Sequence, residues 1–101
     1  MRKLYISGPM TGLPNYNELE FYRAQELLAD FGFMPINPHL GLSPYWDYED
    51  YFRRSLMLLL MADGVALLDG WENSKGAQTE VAVAGSLRLP TKGLAEWKSG
   101  P

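Results

Sequence analysis

Gly64-Val65-Ala66-Leu67-Leu68-Asp69-Gly70-Trp71-Glu72-Asn73-Ser74-Lys75-Gly76-Ala77-Gln78-Thr79-Glu80 decides the fold. Residues 64–68 are continuously apolar, as a central parallel strand covered on both faces should be. Asp69 ends the run. Ser74 can cap a helix over about Lys75 to Leu87, with Ala77, Val81, Ala84 and Leu87 turned inward. A strand, a short Gly/Ser loop and a helix N-terminus form an anion-binding arrangement, because free N–H groups and the helix dipole both favour negative charge. Two carboxylates, Asp69 and Glu80, fall near the same strand end. The combination points to a small α/β protein that handles an anionic sugar or a nucleotide.

The flanking sequence supplies the rest of an α/β unit. Lys3 to Ile6 reads as the first strand, broken by Gly8-Pro9. After a turn-rich loop, Asn17 reads as an N-cap paired with Glu20 in a capping box. The helix it opens runs over about Glu18 to Phe31. Its apolar row is Leu19, Tyr22, Leu27 and Phe31, with Phe21, Ala24 and Leu28 beside it, and Gly32 provides the stop. Phe33 to Ile36 is a second strand, placed at a sheet edge by Pro35. Asp47 can cap a second helix to about Met61, with Glu49 and Asp50 favourable in its first turn. Leu56 to Met61 is apolar nearly all round, so one side should face the sheet and the other a second subunit. Beyond Pro90 a short fourth strand and a helical turn over Leu94 to Lys98 fit the sequence. The βαβα order implies a parallel sheet with right-handed crossovers in a single domain spanning 1–101.

Composition narrows the function. The chain has 101 residues, a formal net charge of −3 and no cysteine. An acidic chain without Lys/Arg runs is a poor ligand for nucleic acid polymers. Without thiols there is no disulfide scaffold, Cys nucleophile or thiolate metal site. One histidine, His39, cannot build a His-rich metal cluster, so no metal and no cofactor are expected. The apolar stretches are too short for a secretory signal or a membrane span, which makes the cytoplasm the expected location.

Ligands of open parallel sheets bind beyond the carboxyl ends of the strands. Three segments reach that edge. The first, Ser7-Gly8-Pro9-Met10-Thr11-Gly12, offers two hydroxyls and glycines for close approach of backbone. The second holds Asn37. The third runs from Asp69 to Glu80, where Ser74 and Gly76 present a hydroxyl and backbone N–H groups to an anion. Trp71 could stack on a base or sugar. Each has a plainer reading: a turn, an N-cap for Ser74, a dipole-compensating surface residue for Glu80, a core cap for Trp71. Two carboxylates together favour chemistry at an anomeric carbon, where one attacks or stabilises and another group manages the leaving group's proton.

Tyr5-Ile6-Ser7-Gly8-Pro9-Met10-Thr11-Gly12, Asn37-Pro38, Ala62-Asp63 and Gly70-Trp71-Glu72-Asn73-Ser74-Lys75-Gly76-Ala77…Glu80 together resemble the nucleoside 2-deoxyribosyltransferase-like superfamily. Within it, they are most similar to a small branch common in phages and prophages, DUF4406. The resemblance covers about residues 3–90. It implies a small flavodoxin-like α/β fold, dimers or larger homo-oligomers, and cleavage or transfer at the N-glycosidic bond of a nucleoside or nucleotide. It implies Glu80 as nucleophile, Tyr5 near the sugar and the nucleophile, and Ser74 and Gly76 as holders of a 5′-phosphate. The superfamily's usual Asp in the second helix is replaced by Ser55, so Asp69 or Glu72 would have to substitute. The alternative is a non-catalytic phage protein that sequesters a signalling nucleotide. If sites are shared between subunits, Tyr45, Trp46, Tyr48 and Tyr51 would be the donors.

Overall fold

The computed structural model describes residues 2–101. Four parallel strands, β1 (Lys3–Ser7), β2 (Met34–Ile36), β3 (Gly64–Leu67) and β4 (Thr91–Gly93), lie in the order β2-β1-β3-β4. Helices α1 (Glu18–Asp30), α2 (Tyr48–Leu60) and α3 (Lys75–Ser86) follow β1, β2 and β3. Pro35 sits in the edge strand β2, where a missing N–H costs least. No helix among the described residues is long and apolar enough to cross a membrane.

Strand alternation sorts the side chains. Leu4 and Ile6 of β1, with Ala66 and Leu68, pack with Phe21, Ala24 and Leu28 of α1 on one face. Tyr5, Val65 and Leu67 pack with Leu59 of α2 and Ala84 of α3 on the other. Ser7, two residues after Tyr5, therefore faces α3 as well. This puts two hydroxyls from one strand beneath α3.

Several local readings need correction. Asn17 does not cap α1: its backbone is left-handed (φ 65°), whereas an N-cap needs an extended one. Its amide donates instead to the Pro9 carbonyl at 3.0 Å. The buried row of α1 is Phe21, Ala24 and Leu28, while Leu19 is 62 % exposed. Both rows have helical spacing, and the Phe21, Ala24 and Leu28 row takes the core. Asp47 does form a capping box with Asp50. In α2, Leu59 is fully buried, but Met57, Leu60 and Met61 face outward. Trp97, in a turn where sequence signals fade, closes the α1 side of the core against Phe33, with ring centroids 5.4 Å apart. Its indole N–H donates to the Val65 carbonyl.

Gly8 marks the closest approach of the β1 end to its neighbour. A Cβ there would lie 2.7 Å from Leu68 Cβ, backed by the rest of that buried side chain. Gly8→Ala should cost about 1–3 kcal/mol through overpacking. Urea denaturation would read this as a lower midpoint with an unchanged m-value.

Candidate active site

Glu80 lies on the inner face of α3, between Ala77 and Ala84 in an i, i+3, i+7 row. It is only 5 % exposed, so it is not a surface residue compensating the helix dipole. Tyr5 donates its hydroxyl to Glu80 Oε2 at 2.5 Å, and Ser7 donates to Oε1 at 2.7 Å. The strand alternation described above is what brings both donors to one carboxyl group. Burial raises the Glu80 pKa above the ordinary carboxylate value, and the two hydrogen bonds act in the opposite direction. Burial also lifts the Tyr5 phenol well above its usual value, reinforced by the Glu80 charge, so Tyr5 remains a donor.

A recess of about 40 Å³ opens over Glu80, lined by Gly8, Met10, Thr11, Tyr48, Tyr51, Phe52, Ser74, Gly76 and Ala77. It shares Met10, Thr11, Tyr48 and Tyr51 with a larger cavity of about 300 Å³. That cavity adds Tyr16, Leu42, Ser43, Pro44, Trp46 and Asp47. Tyr48 and Phe52 stack face to face at 5.7 Å. Tyr51, its phenol pushed up to about 12 by burial, donates to Met10 Sδ. Ser55, one helical turn on, is fully buried. Its Oγ makes no hydrogen bond of good geometry with the described residues.

A sequence profile for a domain of unknown function, DUF4406, matches residues 2–92. The chain belongs to the DUF4406 family. A search of curated protein sequences gives no match. Among solved structures, the DUF4406 chain is similar to 2-deoxyribosyltransferase from the psychrotolerant bacterium Bacillus psychrosaccharolyticus. The TM-score is 0.67 at 20 % identity, over 88 % of this chain and 69 % of that one. The DUF4406 fold is thus deoxyribosyltransferase-like, a small α/β domain with a four-stranded parallel sheet.

Of the residues singled out in sequence, Tyr5, Ser7, Gly8, Met10, Thr11, Ser74, Gly76 and Glu80 converge in this DUF4406 site. Others lie elsewhere. Exposed Asp69 lines a separate recess with Pro9, Asn17, Glu20 and Glu96, because the chain turns outward after β3. Asn37 is occupied structurally: its amide donates to Gln25, and its carbonyl accepts from the His39 N–H. Trp71 packs against the Tyr5 and Leu59 cluster as a core cap. Gly12 forms an open left-handed turn (φ 82°). Trp46, Tyr48 and Tyr51 line the chain's own cavity and need not be lent to a neighbour.

Phe52 and Tyr16 also line the site, although no sequence motif marks them. Tyr48, Phe52 and Ser55 have i, i+4, i+7 spacing after the Asp47 cap, and that signal could have placed them on one helix face.

The raised Glu80 pKa has a stability consequence. Its folded-state pKa exceeds the unfolded value, so its favourable contribution is complete below the unfolded pKa and is lost as pH rises through the folded one. Wild-type stability should fall across that window with a slope of up to about 1.4 kcal/mol per pH unit. Glu80→Gln should lack this component. Paired denaturation curves from pH 4 to pH 8 check this, and parallel pH profiles would contradict it.

Proposed function

We propose that this protein acts at the N-glycosidic bond of a 2′-deoxynucleoside or nucleotide, with Glu80 as nucleophile. The observation that carries the reading is a buried carboxylate held at both oxygens by Tyr5 and Ser7, in a small recess that shares lining residues with an aromatic-walled cavity. The likeness in fold to a 2-deoxyribosyltransferase supports it.

In this reading Glu80 bonds to C1′ as the C1′–N bond breaks. The bond's electron pair leaves on the base, which takes a proton from solvent. Water or a second base then attacks C1′ and frees Glu80. Tyr5 and Ser7 fix the carboxylate in line for attack. Burial weakens its solvation and makes its charge more reactive, at the cost of a raised pKa.

The lining favours the unphosphorylated substrate. Among the described residues, neither the recess nor the cavity is lined by Lys or Arg. Ser74 Oγ already accepts the Ala77 N–H as an N-cap. Tyr48 and Phe52 stand over Gly76, about 3.5 Å from where its Cβ would be. A phosphate dianion there would raise the Glu80 pKa further and oppose ionisation of the nucleophile.

The protein should therefore release free base from at least one 2′-deoxynucleoside, and the matching 5′-monophosphate should be the poorer substrate. Chromatography of the incubated panel reads both results. Glu80→Gln should abolish release while retaining binding by calorimetry. Full activity in that variant would remove the covalent mechanism.

Ser55 favours a second reading. A hydroxyl stands where the superfamily pattern has a carboxylate, and a site without that acid could bind a nucleotide without cleaving it. Tight binding with intact ligand recovered would select this reading.

The proposed assembly is a homodimer or larger. Met57, Leu60 and Met61 are 66 %, 60 % and 59 % exposed along the outer face of α2, an apolar strip that a second copy would cover. Light scattering at micromolar concentration should give at least twice the monomer mass, and a clean monomer would contradict it.

A further inference from the structure

His39 belongs to no part of the chemistry above, yet it is held more firmly than a loop residue requires. It is 7 % exposed, and its ring packs on Phe21 of α1 at 5.0 Å. Its backbone N–H is bound by Asn37 Oδ1, and Asn37 is tied to Gln25 of α1. On either side, the carbonyls of Pro38 and Leu40 accept from the Arg54 guanidinium of α2. Arg54 also lies over the Trp46 ring, 5.5 Å from its centroid. The result is an imidazole fixed between two helices.

That imidazole makes one further contact. His39 Nε2 lies 2.7 Å from the Tyr16 carbonyl oxygen. A carbonyl can only accept, so Nε2 carries the proton. Tyr16 is the middle of three consecutive non-glycine residues in left-handed backbone, with φ of 50°, 53° and 65° at Asn15, Tyr16 and Asn17. L-residues seldom adopt this region, a bulky aromatic least of all, and runs of it persist only where surroundings impose them. Two tethers impose it here: His39 on Tyr16, and the Asn17 amide on the Pro9 carbonyl. The turn sets Tyr16 in the wall of the 300 Å³ cavity, which Met10, Thr11 and Trp46 also line.

We propose that His39 is a positioning residue of the ligand site: its Nε2–H bond to the Tyr16 carbonyl holds the left-handed turn that makes Tyr16 a wall of the cavity receiving the nucleobase. The choice of ligand rests on the function proposed above, whereas the tether itself does not. His39 acts through Tyr16 and touches neither the sugar nor Glu80.

Two variants separate donor from shape. His39→Phe keeps the ring and its packing on Phe21 but loses the donor. His39→Gln keeps an N–H donor. Without ligand, hydrogen exchange of residues 13–18 should accelerate about tenfold or more in His39→Phe, and His39→Gln should restore most of the protection. Calorimetry with the 2′-deoxynucleosides of adenine, guanine, cytosine and thymine should show His39→Phe weakening the best binder about fivefold, the affinity equivalent of one lost hydrogen bond. In a Tyr16→Ala background the same change should have little further effect, because the wall is already gone. Where turnover is measurable, KM should rise and kcat should hold.

Unchanged exchange in His39→Phe overturns the tether. Equal weakening with and without the Tyr16 side chain overturns its role in binding. If no nucleoside binds the wild type, the proposed function and the ligand role of His39 both fall. Base release with an unaltered Kd in His39→Phe upholds the function and removes only His39.

Discussion

Everything in the site depends on taking one carboxylate out of water and giving it two hydroxyl donors. An isolated buried carboxylate is expensive and answers by holding its proton. Glu80 meets that cost with Tyr5 and Ser7, alternate residues of the central strand β1. The requirement runs backwards through the fold. β1 must be parallel and central so that its carboxyl end carries the donors. α3 must turn its alanine row onto the sheet, since small residues at 77 and 84 let the helix lie close enough for Glu80 to reach them. Gly8 must lack a side chain so that the chain can leave β1 tightly against Leu68.

Much of this was legible in the sequence because it rests on local patterns. The unbroken apolar run 64–68, the Ser74 and Asp47 caps and the Pro35 edge strand each follow from one short-range rule. Glu80 is marked by its place in the strand–loop–helix segment, Tyr5 by resemblance, and the period-two spacing of Tyr5 and Ser7 gives their pairing a physical basis. What escaped was decided by competition at a distance. Two rows on α1 have helical spacing, and only the packing of Phe21 under the sheet chooses between them. Asn17 has the chemistry of an N-cap, yet tethers from Pro9 and His39 hold its segment left-handed. Asp69 is near Glu80 in sequence, but the turn at Gly70 sends it to another recess. Trp97 gave no signal because its partners, Phe33 and Val65, are remote in sequence.

The membership in DUF4406 and the deoxyribosyltransferase-like fold describe a scaffold, and chemistry belongs to the site that a scaffold carries. Here the Glu80 end of the site is fully hydrogen-bonded, while the α2 side presents hydroxyl-bearing and aromatic side chains. Tyr51 and Ser55 lie one turn apart on α2; the Tyr51 hydroxyl donates to Met10 Sδ, and the fully buried Ser55 Oγ has no partner among the described residues. Hydroxyls can orient a sugar but are poor proton donors at neutral pH.

The central claim is that Glu80 forms a bond to the substrate sugar, and acid-quench trapping tests it most directly. The protein is mixed with a 2′-deoxynucleoside that releases base, quenched within the first turnover, digested and mapped by mass spectrometry. The account predicts a deoxyribosyl adduct on the peptide containing Glu80, absent from the Glu80→Gln protein. Free base appearing with no adduct, or with an adduct on another residue, would contradict it.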